Sequence, residues 1–255
     1  MEMPLTTGYA SRFQAPEAVA AYEMQEYGPD SYASRMWELQ QPRLAALLQQ
    51  QQTTVGRPLT LLDFACGTGR VLAAVGPLVA RAEGLDISPE MVAVAKSKCP
   101  RAHLRVADIL QTETLPANTY DVITAFRFLL NVEPSVRRAV LARLRESIRQ
   151  PDGVLLVNVH GNSHSLRHPA LVWRRWRERA QPTGAMLNEM SAGETRALLR
   201  DTGFEVRQEF GFGLLPPTLY RTPLRGLTRA LDKTLAERGL LREWSIDLLF
   251  VCRPA

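Results

Sequence analysis

Leu59-Thr60-Leu61-Leu62-Asp63-Phe64-Ala65-Cys66-Gly67-Thr68-Gly69-Arg70 is the stretch that decides the fold. The apolar run Leu59 to Phe64 reads as a buried strand, and the periodicity from Arg70 to Ala80 reads as a helix. Between them lie glycines, which can take positive φ without a Cβ penalty and let the backbone approach a ligand closely. In a dinucleotide site the pattern would be GxGxxG, yet Gly67-Thr68-Gly69 is followed by Leu72 where the third glycine should stand. Asp63 also closes the strand where a pyrophosphate would meet negative charge. A ligand carrying a positive amino group or a sulfonium suits such a loop better.

Outward from this loop the chain alternates strand and helix. Arg81 to Ile87 reads as a second strand, and Ser88-Pro89-Glu90 supplies an N-cap followed by proline at the first helical position. Leu104 to Ala107 and Tyr120 to Phe126 read as the third and fourth strands, Pro134 to Arg149 as a helix, and Val154 to Val159 as the fifth strand. Repeated βα units of this kind predict a parallel, doubly wound sheet with ligands at the strand C-termini. Further on come a helix at Ser191 to Thr202, a strand at Phe204 to Phe210, a helical region near Pro223 to Arg238 and a last strand at Ser245 to Cys252. Upstream, residues 1–57 read as a helical cap: one helix opens at Pro16 and is interrupted at Gly28-Pro29-Asp30, and a second runs from Ser31 to Gln52. Residues 58–255 form the main domain, with insertions near 161–190 and 211–243.

Asp63-Phe64-Ala65-Cys66-Gly67-Thr68-Gly69 resembles motif I of the class I S-adenosylmethionine (SAM)-dependent methyltransferases, D/E-x-G-x-G-x-G, with Ala65 in place of the first glycine. The similarity extends over roughly residues 59–160. It implies a seven-stranded Rossmann-like α/β sheet of order 3-2-1-4-5-7-6, SAM as cofactor and no metal. It further implies that Asp86, at the end of the second strand, binds the ribose hydroxyls, and that Asp108 and Ile109, after the third, hold the adenine. Asp63, Ala65, Cys66, Gly67, Gly69, Ile87, Met91 and Phe126 complete the implied cofactor site. In similar enzymes an N-terminal helix covers the cofactor, and Tyr22 and Arg35 are the candidates here for its methionine end.

Methyl transfer mainly requires that the nucleophile be held near the methyl group and water kept out. A hydroxyl acceptor gains further from a general base. His160, directly after the fifth strand, is the candidate base, and Arg127, after the fourth, is a cation suited to an acceptor carboxylate or phosphate. The expected activity is methylation of a small molecule such as a specialised metabolite, a sugar or a lipid-linked glycan, with oxygen favoured over nitrogen because His160 offers a base. Nucleic acid is disfavoured as a partner. The fourth strand runs into Thr124-Ala125-Phe126-Arg127, not the Asn/Asp-Pro-Pro-Tyr/Phe motif, no Pro-Cys nucleophile is present, and the basic residues form no phosphate track. A protein acceptor and a module that binds SAM without turnover are the remaining alternatives.

Composition sets the outer limits. With 45% hydrophobic and 22% charged residues over 255 positions, burial alone can hold the core. Cys66, Cys99 and Cys252 are scattered and form no zinc or redox spacing, which predicts a reducing, cytoplasmic setting. No secretion signal is evident at the start. The longest apolar stretch, Val71 to Ala80, contains Gly76 and Pro77 and falls far short of the roughly 20 residues a bilayer span needs. The net charge of +5 is modest, and the basic run Trp173-Arg174-Arg175-Trp176-Arg177 is the one feature compatible with weak contact at a membrane surface.

Overall fold

The structure, a computed structural model, describes residues 16–28, 31–111, 115–166, 168, 189–215, 219, 223, 225–237 and 241–255. The basic tryptophan run at 173–179 lies outside the described residues. Seven strands form one sheet in the order β3-β2-β1-β4-β5-β7-β6. They are β1 (Thr60–Phe64), β2 (Arg81–Asp86), β3 (His103–Val106), β4 (Val122–Phe126), β5 (Val154–Val159), β6 (Phe204–Phe212) and β7 (Asp247–Pro254). Strands β1 to β5 pair in parallel, whereas β7 runs antiparallel to both β5 and β6. This is the order and architecture the glycine-loop resemblance implies.

The strands alternate between two cores, as the period of two in a pleated strand requires. On β5, Leu155 and Val157 face one layer while Val154 and Leu156 face the other. The first layer is covered by α5 (Pro134–Ser147) through Val136, Val140, Leu141 and Leu144, and by α6 (Ala192–Asp201) through Leu198 and Leu199. The second is covered by α3 (Arg70–Val75) and by α2 (Tyr32–Val55), whose Met36, Leu44, Leu47 and Leu48 recur at helical spacing. Each such side chain stabilises the fold by about 1.5–3 kcal/mol when fully buried. Helix α2 is thus a wall of the sheet's core. It starts where Ser31 Oγ accepts from the Ser34 N–H at 3.0 Å and stops at Gly56, whose φ of 68° is the left-handed cap.

Element ends differ from the sequence reading in a few places, each for a local reason. The helix after the glycine loop stops at Val75, and Gly76–Leu78 tightens into a 3-10 turn around Pro77, which has no N–H to donate. Tyr120 stands outside β4 in an isolated bridge to Ile148, its hydroxyl donating to Glu83 at 2.9 Å. Strand β6 runs on to Phe212 because β7 pairs with it as far as Asp247.

The remaining helices are α1 (Pro16–Tyr27), α4 (Pro89–Lys98) and α7 (Arg225–Glu237). The first packs Val19 and Tyr22 onto Met91 of α4. Glu23 of α1 accepts from Thr68 Oγ1 of the glycine loop and pairs with Lys98 Nζ at the end of α4. On α7, the buried Asp232 accepts from three backbone N–H groups, those of Gly213 at 3.0 Å, Leu214 at 2.7 Å and Leu215 at 3.1 Å. These bonds fix the chain as it leaves β6. No described helix is long and apolar enough to cross a membrane.

Candidate active site

A cavity of about 190 Å³ follows the C-terminal edge of the parallel strands, from Asp108 past β2 and β1 to Phe126 and on to Asp247 at the start of β7. Its floor is the glycine loop. Ala65, at φ 54°, and Gly67, at φ 52°, are both left-handed, so the chain doubles back beneath the cavity. A Cβ on Gly67 would meet no protein atom within 4 Å. Gly69, also left-handed at 79°, faces the other way, since a Cβ there would press on Cys99 Sγ at 3.0 Å and Ala95 Cβ at 3.1 Å. Gly69 therefore lets α4 pack closely against the loop and does not line the cavity.

The three strand-end acids meet on one wall, each with a different environment. Asp63 is 1% exposed; its Oδ1 accepts from Thr124 Oγ1 at 2.6 Å, while Oδ2 has no hydrogen-bond partner among the described residues. Burial pushes its pKa up to about 7, the nearby Asp86 adding to the rise and the Thr124 bond opposing it. Asp86 accepts from the N–H of Gly67 at 2.7 Å and of Ser88 at 3.0 Å. Burial raises its pKa and these backbone bonds counter the rise. Asp108 caps its own turn, accepting from the Leu110 N–H at 2.9 Å. Burial, with Asp63 and Asp86 close by, raises the Cys66 pKa far above the usual thiol range, so its sulfur is an inert wall.

Of the residues expected here from sequence, Asp63, Ala65, Cys66, Gly67, Asp86, Ile87, Met91, Asp108, Ile109, Phe126, Tyr22 and Arg127 line the cavity. Arg127 sits at φ 55°, a left-handed geometry rare for a long side chain, with Asn131 Nδ2 donating to its carbonyl at 2.5 Å. Gly69, Arg35 and His160 are not part of the wall. The cation that α2 brings into play is instead Arg70, whose guanidinium donates to the Ala33 carbonyl at 2.8 Å and lies 4.9 Å from the centre of the Trp37 ring. His160 is half-buried, and its removal from solvent together with the Arg127 charge holds its pKa well below the ordinary imidazole value. It is a neutral ring near the cavity and not a wall of it.

The structure adds wall residues that no motif announces. Trp37 meets Phe126 edge-on at 6.2 Å, and Phe128 meets Phe64 at 4.9 Å. Beyond Ile109 the adjoining end is closed by Val132, Val136 and Val140. At the opposite end Gln40 of α2 donates to Asp247 Oδ2 at 2.8 Å, and both side chains are 5% exposed. Gln40 lay in a polar stretch and Asp247 more than 200 residues away, so only the α2–β7 contact joins them. Among the described residues no group of three His, Cys, Asp or Glu side chains could hold a metal ion.

The arrangement fits SAM. The partnerless buried oxygen of Asp63 suits an ammonium group, and the open face of Gly67 leaves room for ligand where a side chain would intrude. Comparison with known proteins agrees. The family model described as "Methyltransferase domain" matches residues 36–209. A curated protein of Geobacillus sp. (strain WCH70), named "Putative methyltransferase", is 35% identical over 107 residues, which span 39% of this chain and 42% of that protein. Among solved structures, magnesium protoporphyrin IX methyltransferase from Synechocystis PCC 6803, with bound SAH, has a TM-score of 0.64 at 14% identity, covering 96% of this chain and 98% of that one. A SAM-dependent methyltransferase from Mesorhizobium loti has a TM-score of 0.54 at 20% identity, covering 77% of this chain and 91% of that one. The [4+2]-cyclase SpnF, with a TM-score of 0.52 at 19% identity and coverage of 83% and 80%, has the same fold, so the fold alone does not name a reaction. The family match extends over most of the chain, through the glycine loop and all three strand-end acids, and the chain belongs to the methyltransferase domain family, with SAM as its cofactor.

Proposed function

We propose that this SAM-dependent methyltransferase acts on a small molecule, at a hydroxyl oxygen. The observation that carries the reading is the shape of the cavity beyond Phe126. Its lining continues past the glycine loop to Trp37, Phe126 and the polar pair Gln40 and Asp247, with Tyr22 of α1 and Ala33 of α2 also contributing to the wall. A recess under helices α1 and α2 suits a compact acceptor better than a polymer.

When bound, SAM supplies an electrophilic methyl group on a sulfonium. The chain's own part is to bind, orient and exclude water. Asp86 is proposed to take the ribose hydroxyls on the lone pairs its backbone bonds leave over, and Asp108 with Ile109 to take the adenine. Asp63 is proposed to hold the ammonium of the methionine end. Tyr22 covers the cavity from α1, held there by the contacts of Glu23 with Thr68 and Lys98. Positioning and desolvation of this sort can supply a large part of a methyl-transfer rate. Arg127, left-handed at the strand end, is proposed to bind an anionic group on the acceptor.

The experiment is to incubate the protein with methyl-labelled SAM and a cell extract and to separate the products by size. Label should appear in the ultrafiltrate as a base-stable ether. Label confined to protein or nucleic acid would overturn the small-molecule reading, and label on nitrogen would replace the hydroxyl acceptor with an amine.

A further inference from the structure

Asp63 lies between two strands whose side chains treat it differently. Across the sheet it is level with Gly84 of β2 and Thr124 of β4. Gly84 has no side chain to offer, and the space beside it is taken, since a Cβ there would press on Leu104, Leu72 and Cys66. Thr124 is therefore the cross-strand neighbour that can reach the carboxylate. It is 0% exposed, and its Oγ1 lies 2.6 Å from Asp63 Oδ1 against 3.4 Å from the Leu62 carbonyl. A threonine hydroxyl has one hydrogen to donate, and the shorter contact gives it to the acid. Oδ1 is thereby tied to β4. Oδ2, which has no hydrogen-bond partner, is left to the cavity that Asp63 lines.

Both effects matter to a ligand that carries an ammonium group. The bond fixes the turn of the carboxylate, so the ligand meets an acceptor already oriented. It also stabilises the anion, against burial and the nearby Asp86, which both favour the neutral acid. The other ionisable groups close to Asp63 are Cys66 of the loop and Cys99 of α4. Along the cavity wall stand Tyr22, Arg70, Asp108, Arg127 and Asp247. Resting on the proposed contact of Asp63 with the ammonium of the methionine end, we propose that Thr124 is the positioning residue of that subsite. From behind the cavity wall, of which it is not a part, its hydroxyl holds Asp63 in the orientation and charge state that the ammonium needs.

The test uses the full chain and two probes: S-adenosylhomocysteine, which carries the ammonium, and methylthioadenosine, which lacks the amino-acid end. Calorimetry across neutral pH gives their affinities for the parent, Thr124→Val, Thr124→Ala, Thr124→Ser and Asp63→Asn. Thr124→Val keeps the shape of the side chain without the donor, Thr124→Ala removes the donor with less bulk, and Thr124→Ser retains it. In the Val and Ala variants S-adenosylhomocysteine should bind about tenfold more weakly at neutral pH, the fold expected for one charge-assisted hydrogen bond. The pH at which its affinity rises should move up by about one unit. Methylthioadenosine should bind these variants as it binds the parent, and Thr124→Ser should restore both the affinity and the pH profile of S-adenosylhomocysteine. Equal weakening of both ligands would make Thr124 merely structural and overturn the proposal. So would a parental pH profile in Thr124→Val, or a Thr124→Ser protein that behaves like it. Asp63→Asn separates this proposal from the reading beneath it. A preference for S-adenosylhomocysteine lost in Asp63→Asn but kept in the Val and Ala variants removes the positioning role alone. A preference that survives Asp63→Asn removes the ammonium contact itself, and the proposal with it.

Discussion

Asp86 Oδ2 accepts a hydrogen bond from the Gly67 N–H at 2.7 Å, so the acid that ends β2 also holds the glycine loop that follows β1. The two strands are neighbours in the sheet, and this bond sets the loop's height above their edge. Asp86→Ala removes the proposed ribose contacts and this strut together. Each charge-assisted bond contributes about 1.5–3 kcal/mol at most. SAM affinity should fall by at least tenfold and the melting temperature should fall as well. Calorimetry showing parental SAM affinity in Asp86→Ala would overturn the assignment.

The loop carries strain at Ala65, whose φ is 54°. A left-handed residue with a Cβ costs roughly 1–2 kcal/mol relative to glycine, and glycine's looser unfolded chain returns about 0.4–1 kcal/mol of that. Ala65→Gly should therefore stabilise the fold by up to about 1 kcal/mol, and Ala65→Val should destabilise it by more. Urea denaturation of the two variants checks both signs.

The proposed contact of Asp63 with the cofactor's ammonium links binding to pH. The pKa of Asp63 in the folded protein, about 7, lies above the carboxylate's ordinary value of 3.8, so the cofactor-free fold holds this proton more tightly than the unfolded chain does. The associated stability is full below the ordinary value and is lost as pH rises through about 7. An ammonium group beside Asp63 favours the ionised form. SAM binding should then release a proton near neutral pH, and affinity should rise with pH through that range. Calorimetry in buffers of different ionisation enthalpy measures the release, and Asp63→Asn should eliminate it.

His160 shifts in the opposite sense. Burial and Arg127 depress its pKa, so the folded state resists protonation. Its stabilising contribution is present above the unfolded value of about 6.5 and declines as pH falls below it. Because the ring lies off the cavity wall and its lowered pKa makes it a weak base, His160→Ala should leave the single-turnover methyl-transfer rate within about threefold of the parent. A loss of about 10²–10⁴ would restore it as a general base.

Helix α1 is fastened through Glu23, which meets both Thr68 and Lys98. Partly exposed pairs of this kind contribute only about 0–1 kcal/mol, so the cover should open readily. Glu23→Ala should raise hydrogen exchange over residues 16–27 and weaken SAM a few-fold. Deleting residues 1–30 should weaken it further, abolish turnover and leave the sheet folded, because α2 carries the core contacts. Full activity in the truncated protein would show that α1 is peripheral.

The local code of the sequence determined the sheet and the edge along which the cavity lies. Residue period, the glycine loop and an acid at each of three strand ends are short-range patterns, and a βα unit places its strand end by rules that depend on a few neighbours. Asp63, Asp86 and Asp108 were legible for that reason, as was the strand order once the resemblance was seen. Tertiary structure decided which side chains turn toward the cavity. Gly69 shares a loop with Gly67 but faces α4; Arg35 lies off the wall where Arg70 and Trp37 lie on it; His160 follows a strand at the ligand edge yet is half-buried off the wall, its pKa lowered by desolvation and by Arg127. Gln40 and Asp247 are joined only because α2 crosses β7 on one face of the sheet. Periodicity sets the face of each element separately, whereas the meeting of two faces depends on how the elements pack, and packing is settled by the whole core at once.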